Sequence, residues 1–160
     1  MVTLRYAVPD DAPRIVEMAG LLCLHEGKPL PDLTVEDFLR DGFGSHPPFV
    51  TLVAEKDNEL IGYAAYYWGY DLETARTGVH IADLFVLPAE RGKGVGHLLV
   101  SAVAETCRNE GGNWVQWFCQ KTNNLALDFY AKLGASLEDD AVSFCLEGAP
   151  LDALVGWTER

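Results

Sequence analysis

A chain of 160 residues is most simply a single domain, residues 1–160, and can bury about two-thirds of the surface that it exposes when unfolded. Hydrophobic residues make up 49% of it and aromatic residues 11%, which excludes a disordered protein. The formal net charge of −12 opposes binding to nucleic acid, because phosphate contacts need clustered Lys and Arg.

The chain begins with a predicted strand and helix. The alternating segment VTLRYAV, residues 2–8, is typical of a strand, and the polar run Pro9-Asp10-Asp11 opens a helix. The apolar residues of this helix share one face: Ala12, Ile15, Val16, Ala19, Leu22 and Cys23.

A loop and a second helix follow. The glycine and prolines of residues 25–33 predict the loop. The segment TVEDFLRD then predicts a short helix, because Thr34 and Asp37 can form a capping box and Gly42 can end it.

The middle of the chain predicts an antiparallel meander. Two β-rich segments, residues 49–55 and 59–70, flank the turn residues 56–58 and therefore predict a hairpin. The segment VHIADLFVLP, residues 79–88, predicts the next strand.

Helices and strands alternate in the last part of the chain. The patterns predict a helix over 94–110, a strand over 113–120, a helix over 123–133 closed by Gly134, and a strand over 142–148. Residues 150–160 are left unassigned. The order β-α-α-β-β-β-α-β-α-β predicts a mixed α/β fold, with a twisted, mostly antiparallel sheet of about six to seven strands and helices on both faces.

Cysteines and histidines show no metal-ligand spacing, so we expect no metal site. No apolar run could span a bilayer, and residues 1–20 lack the pattern of a signal peptide. We therefore expect a cytoplasmic protein that binds neither nucleic acid nor membrane. In that compartment the cysteines are expected to be buried free thiols: Cys23, Cys107, Cys119 and Cys145.

The segment RGKGVG, residues 91–96, joins a predicted strand to a predicted helix. A helix N-terminus exposes unpaired amides, and glycines let an anion approach them without a Cβ in the way. The alternative is a tight turn with two solvated bases, in which Gly96 only serves packing. The spacing is neither that of a P-loop nor, with His97 in place of a glycine, that of a dinucleotide fingerprint.

The residues Arg91-Gly92-Lys93-Gly94-Val95-Gly96 resemble the pyrophosphate-binding motif [QR]xxGx[GA] of the GCN5-related N-acetyltransferase (GNAT) superfamily. A second resemblance lies at the expected distance, in the family pattern NxxAxx[FLY]Y followed by a glycine: Asn123, Ala126, Phe129, Tyr130 and Gly134. The chain is identified as a member of this superfamily over essentially its whole length. Within the superfamily, DGFGSHP at residues 41–47 and AAYYWGYD at 64–71 resemble segments of the diamine (spermidine/spermine and thialysine) acetyltransferases.

This resemblance implies a GNAT fold and direct transfer of acetyl from acetyl-CoA to a primary amine. A bulge in the fourth strand and a gap between strands four and five would admit the pantetheine arm. The implied cofactor-binding residues are the backbone of Leu84, Phe85 and Val86, the loop Arg91, Gly92, Lys93, Gly94, Val95, Gly96 and His97, and the side chains of Asn123 and Tyr130. The resemblance also implies a homodimer.

Tyr130 resembles the family tyrosine that faces the sulfur of the leaving thiol. Because an ordinary tyrosine (pKa ~10) is a weaker acid than a thiol (~8.5), we expect it to act chiefly as a hydrogen-bond donor. From spacing alone, Tyr130 is a helix residue packed beside Phe129, and Asn123 is a helix N-cap.

The amine must lose a proton before it attacks, and a carboxylate can accept that proton. The diamine enzymes carry a glutamate where this chain has Ala82, so Asp83 is the first candidate and Glu26 the second. A polar residue at a bulge and a solvated loop charge are the alternatives for these two.

Several interpretations stay open. The acceptor is a polyamine, a diamine or an amino-acid-like amine; alternatives are a protein amine, an antibiotic, or a non-catalytic acetyl-CoA sensor. Aromatic residues of strands three and five either line an amine pocket through cation–π contacts or are ordinary cross-strand pairs: Tyr66, Tyr67, Trp68, Tyr70, Trp114 and Trp117.

Overall fold

The computed structural model describes residues 1–138, 140 and 142–155. The chain divides into two compact units, Met1–Leu127 and Asp128–Arg160. The elements in chain order are β1 (Val2–Tyr6), α1 (Ala12–His25), α2 (Val35–Gly42), β2 (Val50–Lys56), β3 (Glu59–Asp71), β4 (Arg76–Val86), α3 (Val95–Asn109), β5 (Trp114–Trp117), α4 (Asn124–Lys132) and α5 (Ala149–Leu154). None of these described helices is both long and apolar enough to cross a membrane.

The first unit is built on a five-stranded sheet in the order β1-β2-β3-β4-β5. Strands β1 to β4 are antiparallel to their neighbours, and β5 runs parallel to β4. The β2–β3 hairpin turns at Asp57 and Asn58, which both have positive φ angles, 53° and 65°. Those angles are typical of a two-residue hairpin turn, so the predicted hairpin is confirmed.

Helices cover both faces of this sheet, as predicted. On one face, Ile15 and Met18 of α1 pack in a buried cluster with Tyr63 and Phe85 of the sheet. On the other face, a Cβ at Gly62 would lie 3.4 Å from the Leu99 side chain of α3. Because side chains alternate along a strand, β3 supplies core residues to both layers.

The predicted capping box of α2 is present. The Asp37 N–H donates to the Thr34 hydroxyl oxygen (3.1 Å), and the Asp37 carboxylate accepts from the Thr34 N–H (3.2 Å). These bonds satisfy two backbone donors at the helix start.

The prediction of a last strand over 142–148 is wrong. The described residues there form no strand, and the short helix α5 follows them, so the described sheet has five strands rather than six to seven. The segment has the alternation of a strand, but its apolar side chains stay exposed, Phe144 by 91%. The described part of the second unit contains no other strand with which it could pair. Residues 156–160 of the unassigned tail lie outside the described residues.

The prediction of four buried thiols needs correction as well. All four cysteines are free, but Cys107 alone is buried, Cys23 and Cys119 are half-buried, and Cys145 is exposed. Only Cys107 lies on the buried face of a core helix, where it contacts the segment leading into β5.

Candidate functional site

Strand β4 contains a bulge at Ala82. Ala65 of β3 pairs with Asp83, but the next residue, Tyr66, pairs with Ile81, so Ala82 is an extra residue on β4. The pairing of β4 with β5 also ends here, at Ile81 and Trp117. Beyond the bulge, β4 therefore keeps β3 on one side and has a gap on the other.

The peptide groups that face this gap follow from the register of β3 and β4. The Leu87 N–H donates to the Ile61 carbonyl (2.9 Å), which makes Gly62 and Val86 a non-hydrogen-bonded pair. Since the pair types alternate, the peptide groups of Leu84 and Val86 point away from β3 and into the gap. Phe85 instead pairs with Tyr63, and its ring is buried in the α1 layer.

The glycine segment lies at the start of α3. Gly92 and Gly94 have φ angles of +75° and +85°, and an added Cβ at either would meet nothing within 4 Å. Gly94 is the N-cap of α3 and offers no side chain, and the first helical bond runs from the Leu98 N–H to the Gly94 carbonyl. The N–H groups of residues 95–97 therefore precede the first helical bond and have no helical acceptor, and the exposed turn formed by residues 92–94 lies directly before them.

The two basic residues of this segment, Arg91 and Lys93, both bind neighbouring groups of the protein. Arg91 donates from Nε to the Val86 carbonyl (2.9 Å), and its guanidinium lies over the Phe85 ring, 5.6 Å from the centroid. Lys93 Nζ lies 3.3 Å from the Glu90 carboxylate, which also binds Lys56. This segment therefore offers an anion mainly backbone amides rather than unpaired basic side chains, while Arg91 fixes the end of β4.

Asp83 follows the bulge directly and is half-buried. The hydroxyl of Tyr63, a side chain only 1% exposed, donates to its carboxylate at 2.9 Å. Burial raises the pKa of the Asp83 carboxyl above its ordinary value, and the bond from Tyr63 opposes that shift. A carboxylate with a raised pKa is a better proton acceptor than an exposed one.

Glu26 and Lys28 lie within electrostatic reach of Asp83. Lys28 Nζ donates to the Glu26 carboxylate at 2.6 Å, and this bond raises the pKa of Lys28. The charge of Glu26 raises the pKa of Asp83 further, whereas that of Lys28 lowers it. Gln120, which follows β5, donates to the Glu26 carbonyl at 3.5 Å. The structure thus places both predicted carboxylates, Asp83 and Glu26, in one electrostatic environment together with the cation Lys28.

Asn123 forms the N-cap of α4. Its side-chain oxygen accepts a hydrogen bond from the Ala126 N–H (3.2 Å), as its position at a helix start predicts. Tyr130 belongs to the second unit, where it is half-buried and its ring centroid lies 5.2 Å from that of Phe129. The helix ends as predicted at Gly134, which has a φ of +84°.

Sequence reasoning did not find Tyr63, Lys28 or Gln120. Tyr63 lies opposite Phe85 and reaches the carboxylate two residues before it, a pairing that is known only once the register of β3 and β4 is known. The other two lie in loops, where sequence separation says nothing about contact.

Comparisons with known proteins identify the family and the fold of this chain. The sequence profile of the acetyltransferase (GNAT) family matches residues 15–135. An integron cassette protein of V. cholerae has the same fold, with a TM-score of 0.80 at 23% identity over 96% of this chain and 97% of that one.

Two relatives indicate which kind of acetyltransferase this chain is similar to. The thialysine N-epsilon-acetyltransferase of Sus scrofa is 32% identical to this chain, over 97% of it and 98% of that protein. The spermidine/spermine N(1)-acetyltransferase-like protein 1 of Homo sapiens is 28% identical over 82% of this chain, which spans 20% of that protein. The predicted superfamily is confirmed: this chain belongs to the GNAT acetyltransferase family, in which it is similar to the diamine acetyltransferases.

Proposed function

We propose that this chain acts as one catalytic domain that transfers the acetyl group of acetyl-CoA to a primary amine of a small molecule. The observation that carries the proposal is the end of β4. Three features follow one another there within residues 83–97: the half-buried carboxylate of Asp83, the peptide groups of Leu84 and Val86 that face the gap, and the glycine turn at the start of α3.

The residues present fit acetyl-CoA, which when bound supplies an acetyl thioester as the acyl donor. The N–H groups of residues 92–97 would hold the pyrophosphate, because Gly92 and Gly94 carry no Cβ and the space beside them is open. The peptide groups of Leu84 and Val86 would hold the pantetheine arm along the gap. Arg91, by binding the Val86 carbonyl, keeps that edge in place.

Asp83 is proposed to accept the proton of the attacking amine. An alkyl amine with a pKa of about 10.4 is neutral in only about one molecule in a few thousand at pH 7, so the attacking nitrogen must pass its proton to an acceptor beside it, and the Asp83 carboxylate would take that proton. The Tyr63 hydroxyl positions the Asp83 carboxylate by its 2.9 Å bond. Glu26 provides a second carboxylate to attract the cationic acceptor.

The acceptor is proposed to be an amino-acid-like amine in preference to a polyamine. The ammonium group of Lys28 lies beside Glu26 and acts electrostatically on Asp83. The positive charge of Lys28 repels the second amine of a polyamine and attracts the carboxylate of an amino acid. The relative in Sus scrofa is named for thialysine, which carries both an amine and a carboxylate. The protein is further proposed to be cytoplasmic and a homodimer.

A thiol-release assay tests this function. We expect acetyl-CoA to raise the Tm while ATP and NAD do not, and coenzyme A to appear only when an amine is added. Among thialysine, lysine, spermidine, an aminoglycoside and a peptide amine, we expect the amino acids to react fastest. A Tm shift without amine-dependent thiol release would support a sensor, and the absence of both would overturn the proposal.

Tyr130 is proposed to donate a hydrogen bond to the leaving sulfur, and Asn123 to contact the cofactor. We expect Tyr130→Phe to lower kcat about tenfold, the worth of one hydrogen bond to a developing charge, with little change in the Kd of acetyl-CoA. Single-turnover rates and calorimetry separate the two effects. Phe129→Leu, on the same helix, serves as the packing control. An unchanged kcat would remove Tyr130 from the mechanism.

A further inference from the structure

A cavity lies on the α3 face of the sheet, away from Asp83. It has a volume of about 460 Å³, and it is lined by three aromatic rings, two threonine hydroxyls, one carboxylate and one aliphatic side chain: Tyr6, Val50, Tyr66, Trp68, Thr77, Thr106 and Glu110. Tyr66 forms its buried wall, at 1% exposure, whereas Tyr6 and Trp68 are 55% and 42% exposed. The cavity is therefore open to solvent on the side of these two rings.

The electrostatics of this cavity favour a cation. Glu110 caps the C-terminus of α3, the negative end of a 15-residue helix. No ion pair joins Glu110 to a Lys, Arg or His among the described residues. Arg108, the basic residue in the last turn of α3, donates to the Gly112 carbonyl (3.3 Å) and does not line the cavity. The negative charge of Glu110 and the negative end of the α3 dipole thus both attract a cation.

The aromatic rings narrow the class of cation. The faces of Trp and Tyr rings attract ammonium groups within about 6 Å of the ring centre, and they do so best where water is partly excluded. A small hydrated metal ion prefers several carboxylate and carbonyl oxygens, whereas the cavity offers one carboxylate and otherwise only neutral hydroxyls. An alkylated or primary ammonium ion matches both the apolar rings and the carboxylate.

This cavity is separate from the Asp83 site. Asp83 binds Tyr63, which packs against α1, whereas Tyr66 and Thr106 line the cavity on the α3 side. The two sites thus lie on opposite faces of the sheet. We propose that the cavity between Tyr6, Trp68 and Glu110 is a binding site for an organic ammonium ion, distinct from the site of acetyl transfer.

Choline and its neutral isostere 3,3-dimethylbutan-1-ol test this proposal at constant ionic strength. We expect choline to shift the Trp68 indole N–H resonance saturably, and the neutral compound to bind at least about threefold more weakly, the lower range of a cation–π contact. The resonance is assigned by its loss in Trp68→Leu. Binding is expected not to need acetyl-CoA, so it can be measured whether or not the transfer reaction occurs.

Two variants locate the site. Glu110→Gln is expected to weaken choline binding about twofold to fivefold, the range of one exposed ion pair, while Glu105→Gln, an exposed residue on the same helix, leaves it unchanged. Both exposed residues are expected to tolerate the change, which the Tm verifies. The proposal would be overturned by equal affinity for choline and 3,3-dimethylbutan-1-ol, by a choline titration that does not saturate, or by choline affinity that is unchanged in Glu110→Gln.

Discussion

Asp83→Asn is expected to lower the rate of acetyl transfer about 100-fold, within the range found for removal of a general base. The amide has nearly the same shape, and its oxygen can still accept the hydrogen bond from Tyr63. The loss therefore reports proton acceptance rather than a displaced strand. Steady-state kinetics at saturating acetyl-CoA measure it, with Asp10→Asn, an exposed acid, as the control.

The same substitution is not expected to lower stability. Burial raises the pKa of Asp83 in the folded state, so the folded protein binds a proton more tightly than the unfolded chain. Folding stability therefore falls as the pH rises from the ordinary pKa of Asp through this raised value. At pH 7 the charged form opposes folding, and the uncharged Asn side chain removes that cost. A Tm that is equal or higher, with activity lost, distinguishes a catalytic carboxylate from a structural one.

The pH dependence of the acetyl-transfer rate is a third test of the role of Asp83. In the native protein the rate is expected to rise with pH through the raised pKa of Asp83, since only the carboxylate can accept a proton. Tyr63→Phe removes a donor that stabilises the charged form, and it should move this rise to higher pH. Wild-type activity and an unchanged profile in Asp83→Asn would exclude Asp83 and leave Glu26 or a bound water as the proton acceptor.

Features that depend on neighbouring residues could be predicted from the sequence. The hairpin turn at Asp57 and Asn58, the capping box of Thr34 and Asp37, and the left-handed glycines before α3 all follow from local backbone chemistry. The glycine turn of the candidate site belongs to this class, which is why the sequence alone pointed to an anion there.

Features that depend on distant pairing could not be predicted from residues alone. The bulge was expected only from the family resemblance, because its position at Ala82 depends on the register between β3 and β4. The bond between Tyr63 and Asp83 depends on the same register. The segment 142–148 shows the reverse case: it has the alternation of a strand, but alternation forms a strand only where a partner edge is available. Lys28 was missed because loop contacts carry no periodic signal.

Gly94→Val is expected to weaken acetyl-CoA binding about 100-fold, the cost of losing about two hydrogen bonds to charged phosphate oxygens at 1.5 kcal/mol each. Gly94 has a φ of +85° and open space where a Cβ would lie, directly before the amides of α3. A branched side chain there fills the approach of the pyrophosphate. Isothermal titration calorimetry with acetyl-CoA measures the loss.

Gly111→Val is the control that separates backbone strain from the loss of acetyl-CoA affinity in Gly94→Val. Gly111 has nearly the same φ, +83°, and the same open surroundings, but it lies beyond the other end of α3. Because a valine at positive φ is strained by a similar amount at both positions, Gly111→Val should lower the Tm as much as Gly94→Val does. It should nevertheless bind acetyl-CoA with the native Kd, since no donor near residues 92–97 changes. If the two variants lost affinity equally, the glycine turn would be structural, and the pyrophosphate would have to bind elsewhere.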